Sequence, residues 1–281
     1  MQHSAKRVAS AVIVCVGVLG ASVASAQKFV ASNDGTNGSN VPVATAGHGV
    51  SSELNRPTAA EIIARMLEKN QERLAALEHY ESERVYKVRY TGTGGDHQAE
   101  LQVKAVYTGP NRKQFTVESE SGSKFMCDKV LRKLVEGEQE ATAQSNRMQT
   151  TLSPANYDAE LIGEEMVPSE GANLRAWVLR VSPKVDNKFT YRGKVWINQD
   201  DYAVIRIQGE PAKSPSWWIN HAAFESDYVR RGDVWLPAKN VSSSHVRIGG
   251  EATLTIEYGS YPQVTARGLK PASENAGAAT R

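Results

Sequence analysis

The chain has 281 residues, with 33 Lys and Arg against 31 Asp and Glu, a formal net charge of +2, 40% hydrophobic and 23% charged residues, and two cysteines. Those apolar and charged fractions belong to a globular protein and exclude a collagenous or broadly disordered chain. A near-zero charge offers no basic face to release counterions from nucleic acid, and two cysteines support neither a disulfide scaffold nor a four-thiolate zinc site.

Residues 1–26 predict a secretory signal. Lys6 and Arg7 form a basic n-region, Val8 to Ala21 are uncharged and apolar, and Ala24-Ser25-Ala26 supplies a small-x-small cleavage site before Gln27. The apolar stretch of about 14 residues is shorter than the roughly 20 a spanning helix needs, so cleavage is expected rather than retention as an anchor. Cys15 follows Val12-Ile13-Val14 inside that stretch, where no small residue prepares it for lipidation. The expected location is the periplasm. Lys6 and Arg7 are the only charged residues before Gln27, so the exported chain is formally neutral, and it keeps one cysteine, Cys127. That rules out an internal disulfide. Cys127 follows Phe125-Met126 and reads as a small buried apolar residue.

Residues 27–56 are rich in Ala, Ser, Gly, Asn, Thr and Val without period, and predict a flexible linker. Order is expected from Pro57. Thr58-Ala59-Ala60-Glu61 is a capping box, and Ile62, Ile63, Met66, Leu67, Leu74 and Leu77 form the apolar stripe of a helix to about His79. From Tyr80 the period becomes two. Tyr86, Val88 and Tyr90, then Leu101, Val103, Ala105 and Tyr107, make a hairpin turned at Gly94-Gly95. A third strand through Phe115 and Val117 follows, then a short fourth from Lys124 to Cys127. A second helix is expected over Val130 to Ala143, its short apolar face (Val130, Leu131, Leu134, Val135) giving way to Glu136, Glu138 and Glu140. Such a stripe suits a covering helix.

Seven more strands are predicted over roughly 157–167, 172–182, 189–198, 202–210, 217–230, 233–248 and 251–258. Leu254, Ile256 and Tyr258 share one face of the last. The expected organisation is signal 1–26, linker 27–56, one mainly β domain over 57–262 with two helices and about eleven antiparallel strands, and a disordered tail 263–281.

Catalytic signatures are absent. The sequence has no G-x-S-x-G elbow, H-E-x-x-H helix or Walker loop, and His48, His79, His97, His221 and His245 lack metal-ligand spacing. His221 is expected to pack beside aromatic neighbours. Glu164-Glu165 and Asp200-Asp201 read as solvated surface rather than acid–base dyads. Trp217-Trp218 open a strand straight after Pro211-Ala212-Lys213-Ser214-Pro215, so one indole is either core or the rim of an apolar cleft.

Several runs carry a family resemblance: Asn156-Tyr157-Asp158 with Leu161-Ile162-Gly163-Glu164-Glu165; Tyr191 to Asn198; Asp201 to Arg206; Gly209 to Ile219; Trp235-Leu236-Pro237-Ala238; and Leu254 to Tyr258. Together with the element order, they resemble bacterial outer-membrane lipoprotein-sorting proteins of the LolA/LolB type over residues 57–261. The resemblance implies a curved, incomplete barrel closed by helices that act as a lid, holding acyl chains on its concave face. Without a lipid-attachment cysteine, the chain is more similar to the soluble carrier than to its anchored receptor.

The expected function is therefore a non-catalytic periplasmic binder or carrier of lipid-like or acylated ligands, reaching to outer-membrane lipoprotein sorting, with no cofactor and no metal. The expected groove is Tyr86, Val88, Tyr90, Leu101, Val103, Tyr107, Phe115, Val117, Leu254, Ile256 and Tyr258, with Trp217 and Trp218 beside it and Leu131 and Leu134 as lid. Expected partners are acyl chains of lipoproteins or other lipids and, as a second class, envelope membrane proteins; nucleic acid is not among them. The alternative is an envelope-stress sensor that restrains a membrane-bound anti-sigma partner, and an enzyme ranks last.

Overall fold

The computed structural model describes residues 56–93, 95–109, 112–141, 151–187, 189–213, 219–247 and 249–268. The expected signal, nearly all of the linker, most of the expected tail and the Trp217-Trp218 pair lie outside them.

Helix α1, Ala59–Ala76, starts where the capping box places it: Glu61 N–H donates to the Thr58 hydroxyl at 3.2 Å, and Thr58 N–H donates to the Glu61 carboxylate at 2.7 Å. Ile62, Ile63 and Met66 are its buried stripe. It stops earlier than its apolar spacing predicts. Leu77, counted with the helical stripe, is the C-cap in extended conformation and opens β1, Leu77–Gly92, with no intervening loop. The run after it alternates in burial, and pairing to two neighbours outweighs one more helical turn.

Strands β2 (His97–Thr108) and β3 (Arg112–Gly122) complete the first antiparallel meander. The expected fourth strand is a helix. Gly122, at φ 86°, ends β3 in a conformation open to glycine, and the Ser123 hydroxyl accepts from Met126 N–H. Lys124–Met126 is α-helical, Cys127–Leu131 a π-helical turn and Arg132–Ala141 α-helical again. We call the three together α2. Met126, Cys127, Val130, Leu131, Leu134 and Val135 fall three and four apart and are all buried, so the run Phe125-Met126-Cys127 begins a helical stripe.

Seven strands follow close to their predicted spans: β4 Tyr157–Ser169, β5 Ala172–Pro183, β6 Tyr191–Asn198, β7 Val204–Pro211, β8 Ile219–Arg231, β9 Val234–Val246 and β10 Gly250–Tyr258. The eleventh, β11 Val264–Ala266, lies where the tail was expected to be disordered and pairs with the start of β1. The order across the sheet is β3-β2-β1-β10-β9-β8-β7-β6-β5-β4, all antiparallel, so β3 and β4 remain edges and the sheet does not close. The fold is thus mainly β with two helices, as expected.

Around β5 and β6 consecutive residues are buried: Trp177, Val178 and Leu179 pair with Ile197, Trp196 and Val195. Adjacent strand residues point to opposite faces, so both faces are covered there. On the face opposite Trp177, Trp196 donates its indole N–H to Glu165 at 2.8 Å. Trp235 donates likewise to Asp201 at 2.7 Å. These two carboxylates, read from sequence as surface, hold indoles in place. His221, by contrast, is exposed rather than packed among aromatics.

Candidate functional site

α2 lies against β1–β3 and α1 against β1 and β4. The inner face of β1 carries Tyr80, Ser82, Arg84, Tyr86, Val88 and Tyr90 at every second position, all buried. The register then builds a row across the sheet: Leu101 of β2, Tyr86 of β1, Ile256 of β10, Asn240 of β9 and Ser226 of β8. The row is apolar on the α2 side and polar at β8–β9, where Asn240, Ser242 and Ser244 make a buried stripe of small polar side chains.

Tyr86, Val88, Tyr90, Leu101, Val103, Leu254 and Ile256 fall in one buried cluster with Leu131 and Leu134 of α2, and Phe115, Val117 and Tyr258 pack on its margin. Leu131 and Leu134 of α2 thus pack on the sheet face that carries these residues. Tyr107 departs from the set. It belongs to a second cluster with Leu77, Val229, Leu236 and Tyr261, stacked on Tyr80 at 5.2 Å between ring centroids. Its register, opposite Tyr80 at the start of β1, puts it at the far end of the strand from Tyr90. Alternation gave Tyr107 the right face but not its distance along the strand.

Sequence reasoning missed the charge inside this cluster. Arg84, 1% exposed, donates from Nη1 to Glu138 Oε2 at 2.6 Å, and Glu138, 4% exposed, lies on α2. Tyr86 donates its hydroxyl to the other carboxylate oxygen at 2.8 Å. The Arg84 guanidinium sits over the rings of Tyr258, at 4.7 Å, and Phe115, at 5.3 Å. Among the described residues its Nε has no hydrogen-bond partner, nor does Oδ1 of Asn240. Burial pulls the guanidinium pKa down, and the Glu138 carboxylate together with the hydroxyls of Tyr86, Tyr80 and Tyr258 more than reverses this, so Arg84 holds its proton well above the ordinary arginine range. The Tyr86 hydroxyl is pushed well up by burial and by the same carboxylate. A signal existed for both partners. The parity that turns Tyr86 and Val88 inward also turns Arg84 inward, and Glu138 follows Leu131 and Leu134 by seven and four residues on the helix stripe.

Cys127, on the buried face of α2, directs its thiol at the Ser121 carbonyl at 3.5 Å, and burial pushes its pKa up. That is the opposite of what a reactive thiol needs. Among the described residues no group of three or more His, Cys, Asp or Glu could hold a metal ion, and no helix is long and apolar enough to cross a membrane.

An opening lies between the C-terminal half of α1 and strands β7–β9. It measures about 450 Å³, part of it open to solvent, and is bordered by Arg73, Leu74, Val204, Tyr228, Val234 and Trp235. Arg73 is committed there to structure: it bonds the Asp201 carbonyl and lies 3.4 Å from the Asp201 carboxylate.

No family model matches the chain, and no curated protein matches it. Among solved structures, it is similar to a DUF1329 family protein from Desulfovibrio piger, at 14% identity and a TM-score of 0.32, over 70% of this chain and 91% of that one. It is similar also to a LolA superfamily protein from Nitrosomonas europaea, at 10% identity and a TM-score of 0.31, over 76% and 96%. A domain described as an outer membrane lipoprotein-sorting protein from Vibrio parahaemolyticus matches at 10% identity and a TM-score of 0.33, over 74% and 93%. Superpositions this loose carry no argument about activity, and the architecture rests on the strand order and register given above.

Proposed function

We propose that this protein is a non-catalytic binder or carrier of lipid-like or acylated ligands, exported to the periplasm and serving the cell envelope, with outer-membrane lipoprotein sorting as its most specific form. The ligand's chain lies on the inner face of β1, β2 and β10, against Tyr86, Val88, Leu101, Val103, Leu254 and Ile256, once α2 lifts. The observation that carries the reading is the way this face is covered. It is a largely apolar surface on a sheet that does not close, covered over β1–β3 by a helix that contains a π-helical turn and is tied to the sheet by a buried ion pair. A helix interrupted in this way can part from the sheet without breaking any strand pairing, because all its backbone bonds are its own. An acyl chain replacing it gains about 0.8 kcal/mol for each methylene taken from water.

The test is recovery of bound lipid. Native mass spectrometry of the exported protein, purified from its own envelope, should show an acyl species, and lipid-stripped protein should take up a fluorescent fatty acid. Ile256→Glu and Val103→Glu should abolish uptake while circular dichroism reports an intact sheet. Protein that emerges empty and takes up no added fatty acid defeats the proposal.

A further inference from the structure

The Arg84–Glu138 pair says more about the ligand than the apolar face does. Arg84 and Tyr86 are neighbours on one face of β1, and together they direct a guanidinium N–H and a hydroxyl at the two oxygens of one carboxylate. Both donors belong to the sheet. The acceptor belongs to α2, the element that must move if the face is to open. The seat is therefore built to hold a carboxylate-like group, and what fills it in the closed protein is a side chain of the covering helix. Around the seat the walls are aromatic: Tyr258 and Phe115 cover the guanidinium, and its Nε is left without a partner among the described residues.

We infer that Arg84 and Tyr86 receive the head group of an anionic amphiphile, an apolar chain ending in a carboxylate or phosphate oxyanion, and that Glu138 occupies the seat in its absence. The inference rests on the carrier reading above and adds the ligand's charge to it. When α2 withdraws, it takes away the carboxylate paired with a buried arginine, which cannot shed its proton to relieve the loss. An uncharged amphiphile would leave that cation unpaired in an apolar interior, which is strongly unfavourable. An anionic one restores both hydrogen bonds as Glu138 leaves and offers a further acceptor to Nε. The chain then runs along the row through Tyr86 and Ile256, where no polar partner is needed.

The test compares head groups on one chain length, below micelle-forming concentrations, by displacement of the neutral fluorophore 1-aminoanthracene from the exported chain. Dodecanoate and dodecyl phosphate should displace it about 100-fold more effectively than dodecan-1-ol, because a site of buried donors rejects a ligand that leaves them unpaired. Dodecyl phosphate ahead of dodecanoate identifies a phosphate head, and the reverse order a carboxylate. Glu138→Gln removes the internal competitor and loosens the closed state, so it should tighten dodecanoate and dodecan-1-ol alike, by about tenfold, with the preference for dodecanoate kept. Arg84→Met/Glu138→Leu, which removes both charges and strands neither, should bind all three ligands alike. A merely structural ion pair would give the same ratio of dodecanoate to dodecan-1-ol binding in the unaltered protein and in this double variant. Equal binding of dodecanoate and dodecan-1-ol by the unaltered protein, or a preference that survives the double variant, overturns the inference and leaves the carrier reading standing. Failure of all three ligands and the fluorophore to bind overturns both.

Discussion

Around β5 and β6 the sheet is buried on both faces by large apolar side chains, whereas the inner face of β1 is closed by a helix that carries a carboxylate into the interior. The first arrangement is cheap to keep and expensive to open, since parting those layers returns apolar area to water. The second has the opposite balance. Desolvating Arg84 and Glu138 costs several kcal/mol for each ion, and their attraction only offsets it while both stay in register. One half of the sheet is thus held by packing that any opening would destroy, and the other by a latch that another anion can satisfy.

The largest test of that contrast is truncation on each side. Leu179 of β5 and Leu134 of α2 are both fully buried. Leu179→Ala should lower global stability by about 2–5 kcal/mol, seen as a shifted urea midpoint. Leu134→Ala should instead raise hydrogen exchange across Lys124–Ala141 by opening α2 locally, with a smaller midpoint shift. Equal midpoint losses, with no selective exchange in α2, would erase the distinction between the halves.

Cutting the latch should have a capped effect. If α2 stayed docked, Glu138→Gln would cost about 3–5 kcal/mol by stranding Arg84. A helix that can lift limits the cost to its own opening free energy, and water reaches the guanidinium. The expected outcome is loss of exchange protection in α2 beyond that of Leu134→Ala, with unchanged protection in β5 and β6. Arg84→Met/Glu138→Leu should restore protection to at least the original level, because replacing a buried pair by apolar groups is commonly neutral or stabilising.

An alkaline titration separates the halves by a different group. Burial raises the Tyr157 hydroxyl of β4 from its ordinary 10.0 to about 12, while Tyr191 N–H donating to it at 3.4 Å works the other way. A raised folded-state pKa makes its stabilisation complete below pH 10 and lost as pH climbs toward the folded value, because the unfolded chain ionises first. Stability should fall by about 1.4 kcal/mol per pH unit for each such tyrosine between those values. Tyr157→Phe should flatten that slope in urea melts at pH 9 to 11.5. An unchanged slope would place the alkaline sensitivity elsewhere, with Tyr86 and Tyr258 of the latch side, both also raised by burial, as the next groups to substitute.

How much of this was legible beforehand depended on whether one period told the whole story. The strands of β4–β10 were legible because alternation and turn residues agree, with Gly232 at φ 62° turning β8 into β9. The start of α2 was misread because Phe125-Met126-Cys127 is too short to show any period, and only Val130 and Leu131 further on reveal that it is helical. Leu77 satisfied both periods, and its pairing to Ala266 of β11 decided for the strand. Arg84 and Glu138 were passed over because of residue type: each stood at an inward position by periodicity, yet a lone charge draws no attention as core until a partner is seen. That partner is 54 residues away on another element, a fact no local pattern contains.

The smallest effect belongs to the pair that joins hairpin tips across the open end of the packed half. Arg231, at the end of β8, donates from both Nη atoms to Glu170 in the β4–β5 turn, at 2.6 and 2.7 Å. Those hydrogen bonds hold the Glu170 carboxyl below its ordinary 4.5. A depressed folded-state pKa means that the contribution is present above 4.5 and lost as pH falls through the folded value. The Glu170 side chain is 57% exposed, so solvent screening limits the pair to about 0–1 kcal/mol. Glu170→Gln should therefore shift the neutral-pH urea midpoint slightly, have a smaller effect still at pH 3, and leave exchange in α2 unchanged. An effect on α2 would mean that the hairpin tips and the latch are coupled through the sheet, and the two halves would then have to be treated as one cooperative unit.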